Sequence, residues 1–243
     1  MTLEMVIQKP KRMRTGKKPK LICTPRPSFG TTRKQQTRLT IHTNSRLMAS
    51  ATAVGTLNIE DCVIFGHNNE GVLVNLSAGA NVNVRNSTFK NNGNGAAGTG
   101  VGAGMRATTS DGTFGVGHTV YVTVVNSSSD NNVEGFRMEN NVRATMVDTT
   151  ASNNSLNGFD VFPGAAASEI NLESCIAANN KQWGVVSFTA GTIRISSVTV
   201  TNNSVQGLNP SGGAILTYNN NKVQGNGPGG ATNGAPTGPA PQV

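Results

Sequence analysis

The 243-residue sequence predicts an all-β protein, a single right-handed parallel β-helix of about six or seven coils with disordered termini. Three observations carry this. An Asn-Asn pair recurs between residues 68 and 203, mostly at steps close to 23. A glycine and then an apolar residue follow most pairs at short distance. Ahead of each pair, apolar and polar residues alternate over four or five positions, the period of half-buried strands.

The N-terminal segment stands apart. Residues 1–46 hold twelve Lys and Arg against the single acid Glu4, while residues 47–243 hold eight bases and eleven acids. The net charge of +8 therefore belongs to the leader, and it says little about what the main body binds. Pro10, Pro19, Pro25 and Pro27 oppose helix and strand alike, and no hydrophobic periodicity is visible, so the leader is expected to be disordered. Its longest apolar stretches, Met5-Val6-Ile7 and Leu21-Ile22-Cys23, are too short for a secretory signal. Three readings stay open: a basic arm for nucleic acid or another polyanion, an import sequence, or a true start nearer Met48. No apolar run is long enough for a membrane-spanning helix.

The domain then runs over residues 47–227. Its pairs are Asn68-Asn69, Asn91-Asn92, Asn131-Asn132, Asn153-Asn154, Asn179-Asn180 and Asn202-Asn203, spaced 23, 40, 22, 26 and 23 apart. The long step contains a Gly-rich insertion over 93–103. The glycines that follow are Gly71, Gly104, Gly135, Gly158, Gly184 and Gly207; the next residues are Val72, Met105, Phe136, Phe159, Val185 and Leu208. Such a period suits three short strands joined by bends, each strand lying about 4.8 Å from its counterpart in the next coil. Asn91, Asn131, Asn153, Asn179 and Asn202, or their immediate Asn neighbours, are expected to form a ladder of amides that satisfies bend carbonyls. The glycine is expected to supply positive φ where the chain leaves the bend. Residues 228–243, rich in Gly and Pro, read as a flexible tail.

The Asn-Asn-x-x-x-Gly-apolar units resemble the repeats of right-handed parallel β-helix proteins of the pectate-lyase-like superfamily. Residues 120–226 resemble the C-terminal coils of uncharacterised bacterial, usually secreted, members, and the ending from Gly213 to Gly227 is similar to how that group closes its last coil. The resemblance implies an extracellular or envelope location and a polysaccharide lying along one outward sheet.

Register separates the faces. If the residue after each glycine points inward, one outward column is Leu73, Arg106, Arg137, Asp160, Val186 and Asn209. A second is Asn75, Glu139, Phe162 and Phe188, with Trp183 in the adjoining bend. Arg137, Glu139 and Asp160 are the candidate catalytic residues, with Glu134 nearby, and Arg106, Phe162, Trp183 and Phe188 the candidate binding residues. Hydrolysis needs two carboxyl groups flanking a glycosidic bond. Elimination needs a base and neutralisation of a uronate carboxylate, a role calcium fills in lyases. The bland alternative pairs Arg137 with Asp160 in an exposed ladder. The aromatics have three open explanations: sugar stacking, a subunit contact, or burial under the 93–117 insertion or a terminal segment.

His42, His67 and His118 lack ligand spacing, so no metal site and no cofactor are assigned. Cys62 and Cys175 lie too many coils apart to bridge, and all three cysteines are expected to be free. The leading expectation is a non-catalytic β-helix that binds glycan or protein through an outward sheet. The alternative is a polysaccharide lyase or glycoside hydrolase acting on an acidic polysaccharide.

Overall fold

In the computed structural model, residues 20–23, 47–51, 55–76, 79–93, 102–109, 118–162, 164 and 166–241 are described. Three parallel sheets run along a solenoid of about seven coils. Sheet A holds the short strands, among them Cys62–Phe65, Thr88–Lys90, Ser128–Asp130, Thr150–Ser152, Ile176–Ala178, Thr199–Thr201 and Lys222–Gln224. Sheet B comprises Leu47–Ala51, Val72–Leu76, Ala103–Thr109, Glu134–Met138, Phe159–Val161, Trp183–Ser187 and Gln206–Asn209. Sheet C runs from Gly55–Glu60 through Ala80–Arg85, Val120–Val125, Val142–Val147, Ser168–Glu173 and Gly191–Ser196 to Ala214–Thr217.

The alternation that marks each strand also fills the lumen. Val82, Val122, Ala144, Ile170 and Ile193 stack in one inward column of sheet C, all buried. Opposite them, sheet B aligns Met105, Phe136, Phe159, Val185 and Leu208. The Phe136 and Phe159 rings stack at 5.7 Å with an interplanar angle of 9°.

The amide ladder is present, and the second Asn of each pair forms it. Asn92, Asn132, Asn154, Asn180, Asn203 and Asn226 are buried, and the Oδ1 of each accepts the backbone N–H of the residue one coil before. Each Nδ2 reaches back to a carbonyl within the sheet-A strand of the coil before, as Asn180 does to Ala151 O at 3.1 Å. His67 occupies the first rung: its N–H donates to Asn92 Oδ1 at 3.2 Å, and both ring nitrogens are buried without a partner among the described residues. Burial lowers its pKa to about 4, so the ring is neutral. The residues expected in the ladder, Asn91, Asn131, Asn153, Asn179 and Asn202, are exposed instead and take φ between 54° and 58°. Asparagine tolerates that left-handed turn better than most residues. The first Asn thus makes the bend and the second satisfies it.

The glycines are required for a different reason from the one expected. None of Gly71, Gly104, Gly135, Gly158, Gly184 and Gly207 has positive φ. They sit where the next coil leaves no room: a Cβ on Gly135 would lie 2.3 Å from Gly158 O, and one on Gly184 2.7 Å from Asn203 Nδ2.

Further segments pack at both ends of the solenoid. Of the basic leader, residues 1–19 and 24–46 lie outside the described residues, but Lys20–Cys23 forms a strand antiparallel to Cys62–Phe65 and covers that edge of sheet A. Its backbone register sets Cys23 opposite Cys62. Cys62 is disulfide-bonded, which corrects the expectation of three free thiols; Cys175 is free and buried. At the other end, most of the segment read as a flexible tail is packed onto the last coil. Asn233 accepts the ladder bonds of Asn226, and Gly238–Pro239 pairs with Ala214–Thr217. The last coil's N–H groups need acceptors, and Thr232, Asn233 and Thr237 supply them.

Candidate functional site

The outward face of sheet B concentrates the charged and aromatic residues. Leu73, Arg106, Arg137, Asp160, Val186 and Asn209 form the first predicted column in unbroken register. The residue immediately before each glycine makes a further row beside it, which puts Glu70, Glu134, Asn157 and Trp183 on the same face. Counting one position back from every glycine would have found Glu70 and Asn157, which the sequence reading passed over.

The charges pair with one another. Arg106 donates through Nε to Glu139 Oε1 and through NH1 to Glu70 Oε1 at 3.2 Å. Arg137 NH1 reaches Glu134 Oε2 at 3.2 Å, and its NH2 reaches Glu139 Oε2 at 3.4 Å. Glu139 therefore bridges two arginines from consecutive coils. Below it the Arg137 guanidinium carbon lies 3.4 Å from the centre of the Phe162 ring, a cation–π contact. This corrects the picture of an exposed Arg137–Asp160 ladder: Arg137 and Glu139 are each 4% exposed and Asp160 is fully buried.

Asp160 accepts one hydrogen bond, from Asn157 Nδ2 to Oδ2 at 2.9 Å, and its Oδ1 has no partner among the described residues. Burial, reinforced by the nearby Glu134 charge, pushes its pKa well above the usual carboxylate range. Burial also raises Glu134, against the pull of Arg137. The cluster counts four carboxyl groups, Glu70, Glu134, Glu139 and Asp160, against two guanidinium groups. Holding Asp160 neutral brings the sum closer to balance, and a buried excess of charge is what the interior tolerates least.

The aromatics meet edge to face. Phe162 and Phe188 lie 5.5 Å apart at 61°, and Trp183 and Phe188 6.0 Å apart at 74°. All three are half-buried. One face of Phe162 is taken by Arg137, so Trp183 and Phe188 remain the surfaces on which a ligand could stack. The insertion proposed to bury them lies largely outside the described residues.

The chain matches no known protein-family model, no curated protein and no solved structure.

Its chemistry must therefore be argued from the geometry. Calcium does not fit this face: Glu70, Glu134 and Glu139 already bond guanidinium groups, whose charge opposes a second cation. No group of three or more His, Cys, Asp and Glu among the described residues is arranged to hold a metal ion. The Asp160 carboxyl, held toward its protonated form, faces protein on all sides.

Proposed function

We propose that the chain is a non-catalytic β-helix that binds carbohydrate on the outward face of sheet B, at Trp183 and Phe188. The observation that carries this reading is the half-buried aromatic row on consecutive coils, set beside a buried network of paired arginines and glutamates. Sugar rings stack on such surfaces because the C–H face of a pyranose is apolar while its hydroxyls stay wet, and an aromatic ring with one open face suits both needs. The paired, buried network below would act as a rigid floor. An extracellular or envelope location belongs to the same proposal, and the disulfide at Cys62 supports it, since such bonds persist in oxidising compartments.

The enzymatic reading ranks second. It is favoured by one observation, a carboxyl at Asp160 held in the acid form, which a glycosidase needs for its leaving group. Against it, Arg137, Glu139 and Asp160 have almost no surface that a substrate could reach. Incubation with neutral and acidic polysaccharides separates the two. The binding reading expects retention on an immobilised glycan with no new reducing ends and no unsaturated uronate absorbance. Turnover that is lost in Asp160→Asn would establish the enzyme instead.

A further inference from the structure

We propose that Asn233-Gly234, at the end of the amide ladder, is a site of self-modification: the Gly234 nitrogen attacks the Asn233 amide, and the chain converts there to aspartate and isoaspartate. Asparagine is a chemically labile residue, and a following glycine leaves the attacking nitrogen least hindered.

The described residues contain four Asn-Gly pairs, and the fold treats one of them differently. In Asn92-Gly93, Asn157-Gly158 and Asn226-Gly227 the glycine N–H is engaged from coil to coil. It donates to His67 O, Trp183 O and Asn203 O at 2.7, 3.0 and 2.7 Å. Their amide nitrogens are held as well, Asn92 Nδ2 by Asn132 Oδ1, Asn157 Nδ2 by Asp160 Oδ2 and Asn226 Nδ2 by Asn233 Oδ1. Attack at any of these pairs must first break such bonds. At the fourth pair neither the Gly234 N–H nor Asn233 Nδ2 has an acceptor among the described residues. Nucleophile and leaving group are both free, and Gly234 is exposed to the water that the reaction uses.

The carbonyl under attack is also polarised. Asn233 Oδ1 accepts the Asn226 N–H at 3.2 Å and Asn226 Nδ2 at 3.1 Å. Negative charge gathers on this oxygen as Gly234 N adds to Cγ, and two donors already aimed at it stabilise that charge as an oxyanion hole does. Closing the solenoid requires both residues. Asn233 is the last acceptor of the ladder, while φ at Gly234 is 75° and a Cβ there would lie 2.0 Å from Leu208 O.

Hydroxide takes the Gly234 N–H proton, the nitrogen bonds Cγ, and the Cγ–Nδ2 bond breaks. Nδ2 leaves as ammonia with a proton from water. Water then opens the resulting succinimide, at Cγ to give aspartate or at the main-chain carbonyl to give isoaspartate. Isoaspartate adds a methylene to the main chain. It also turns the carbonyl that accepts the Leu208 N–H into a free carboxylate, so the C-terminal segment loses its register on the last coil.

The test follows the full chain at pH 8 in heavy-oxygen water, with samples digested at acid pH and the Asn-Gly peptides fragmented by mass spectrometry. Asn233 should convert, taking up heavy oxygen, about tenfold faster than Asn92, Asn157 and Asn226, the effect of breaking roughly one hydrogen bond before attack. In the urea-unfolded chain the four rates should converge. The proposal is overturned if Asn233 of the folded chain converts no faster than the other three. It is equally overturned if the same gap persists after unfolding, because the local sequence and not the fold would then set the rate. Both comparisons use the native sequence, so no variant has to fold.

Discussion

Asn154 donates twice to a single oxygen: its backbone N–H and its Nδ2 reach Asn180 Oδ1 at 3.1 and 2.9 Å. Its own Oδ1 accepts the Asn132 N–H at 3.0 Å. Truncating Asn154→Ala strips that buried N–H and the Ser129 carbonyl of their partner, and should cost about 3 kcal/mol. The neighbouring Asn153, exposed with φ of 57°, should accept glycine with little loss, because glycine enters that region freely. Chemical denaturation of the two variants checks the order; a larger loss for Asn153→Gly would place the ladder in the wrong residue.

The pH dependence of stability follows from Asp160. Its carboxyl holds a proton more tightly folded than unfolded. The native state thus binds more protons between the unfolded pKa, about 3.9, and the raised folded one, and stability falls as pH rises through that window. Glu134 adds a slope of the same sign. Asp160→Asn should raise the melting midpoint at pH 7 and flatten, without abolishing, its decline above pH 4. A lower midpoint at pH 7, with the slope unchanged, would show that the ionised carboxylate is what the fold uses.

Much of this was legible in the sequence because a strand has a period of two. Once Phe136 is taken as inward, Arg137 must face out and Met138 in, and the two sheet-B columns follow from the glycine positions alone. Which Asn of a pair forms the ladder was not legible, since both are polar residues in a bend; only the backbone conformation separates them. The signal lay in counting from the glycine. His67 stands four before Gly71, as Asn154 does before Gly158, so the Asn68-Asn69 pair is two places late. Burial of the charged network was also invisible, because its partners Glu70 and Glu139 come from coils far apart in sequence. The strand at Lys20–Cys23 was missed because Leu21-Ile22-Cys23 is too short to show a strand period.

Thiol chemistry provides an independent check on the packing. Cys175 is 1% exposed, and burial raises its pKa to about 11, so at pH 8 thiolate is scarce and access is closed. It should resist iodoacetamide in the native chain and react promptly after unfolding. Cys62 should stay unlabelled until a reductant is added. Rapid native labelling of Cys175, or labelling of Cys62 without reductant, would contradict the structure.

Ending the chain at residue 227 removes Thr232, Asn233 and the Gly238–Pro239 strand. That uncovers the N–H groups of Gly207 and Leu208 and the last ladder amide of Asn226. The melting midpoint should drop by several degrees, and the bared edge should promote association at raised concentration. A truncated chain with an unchanged midpoint would return the segment to the status of a flexible tail.

Carbohydrate binding at the aromatic row is the central claim, and the chain carries its own probe, because Trp183 is its single tryptophan. Titration with neutral and acidic oligosaccharides, followed by tryptophan emission, reads the proposed surface directly. At least one glycan should give a saturable spectral shift, and Phe188→Ala should weaken its binding about tenfold, the loss of roughly one stacking contact. Emission that no glycan in the panel alters, or a shift that Phe188→Ala leaves untouched, would contradict the assignment of this face.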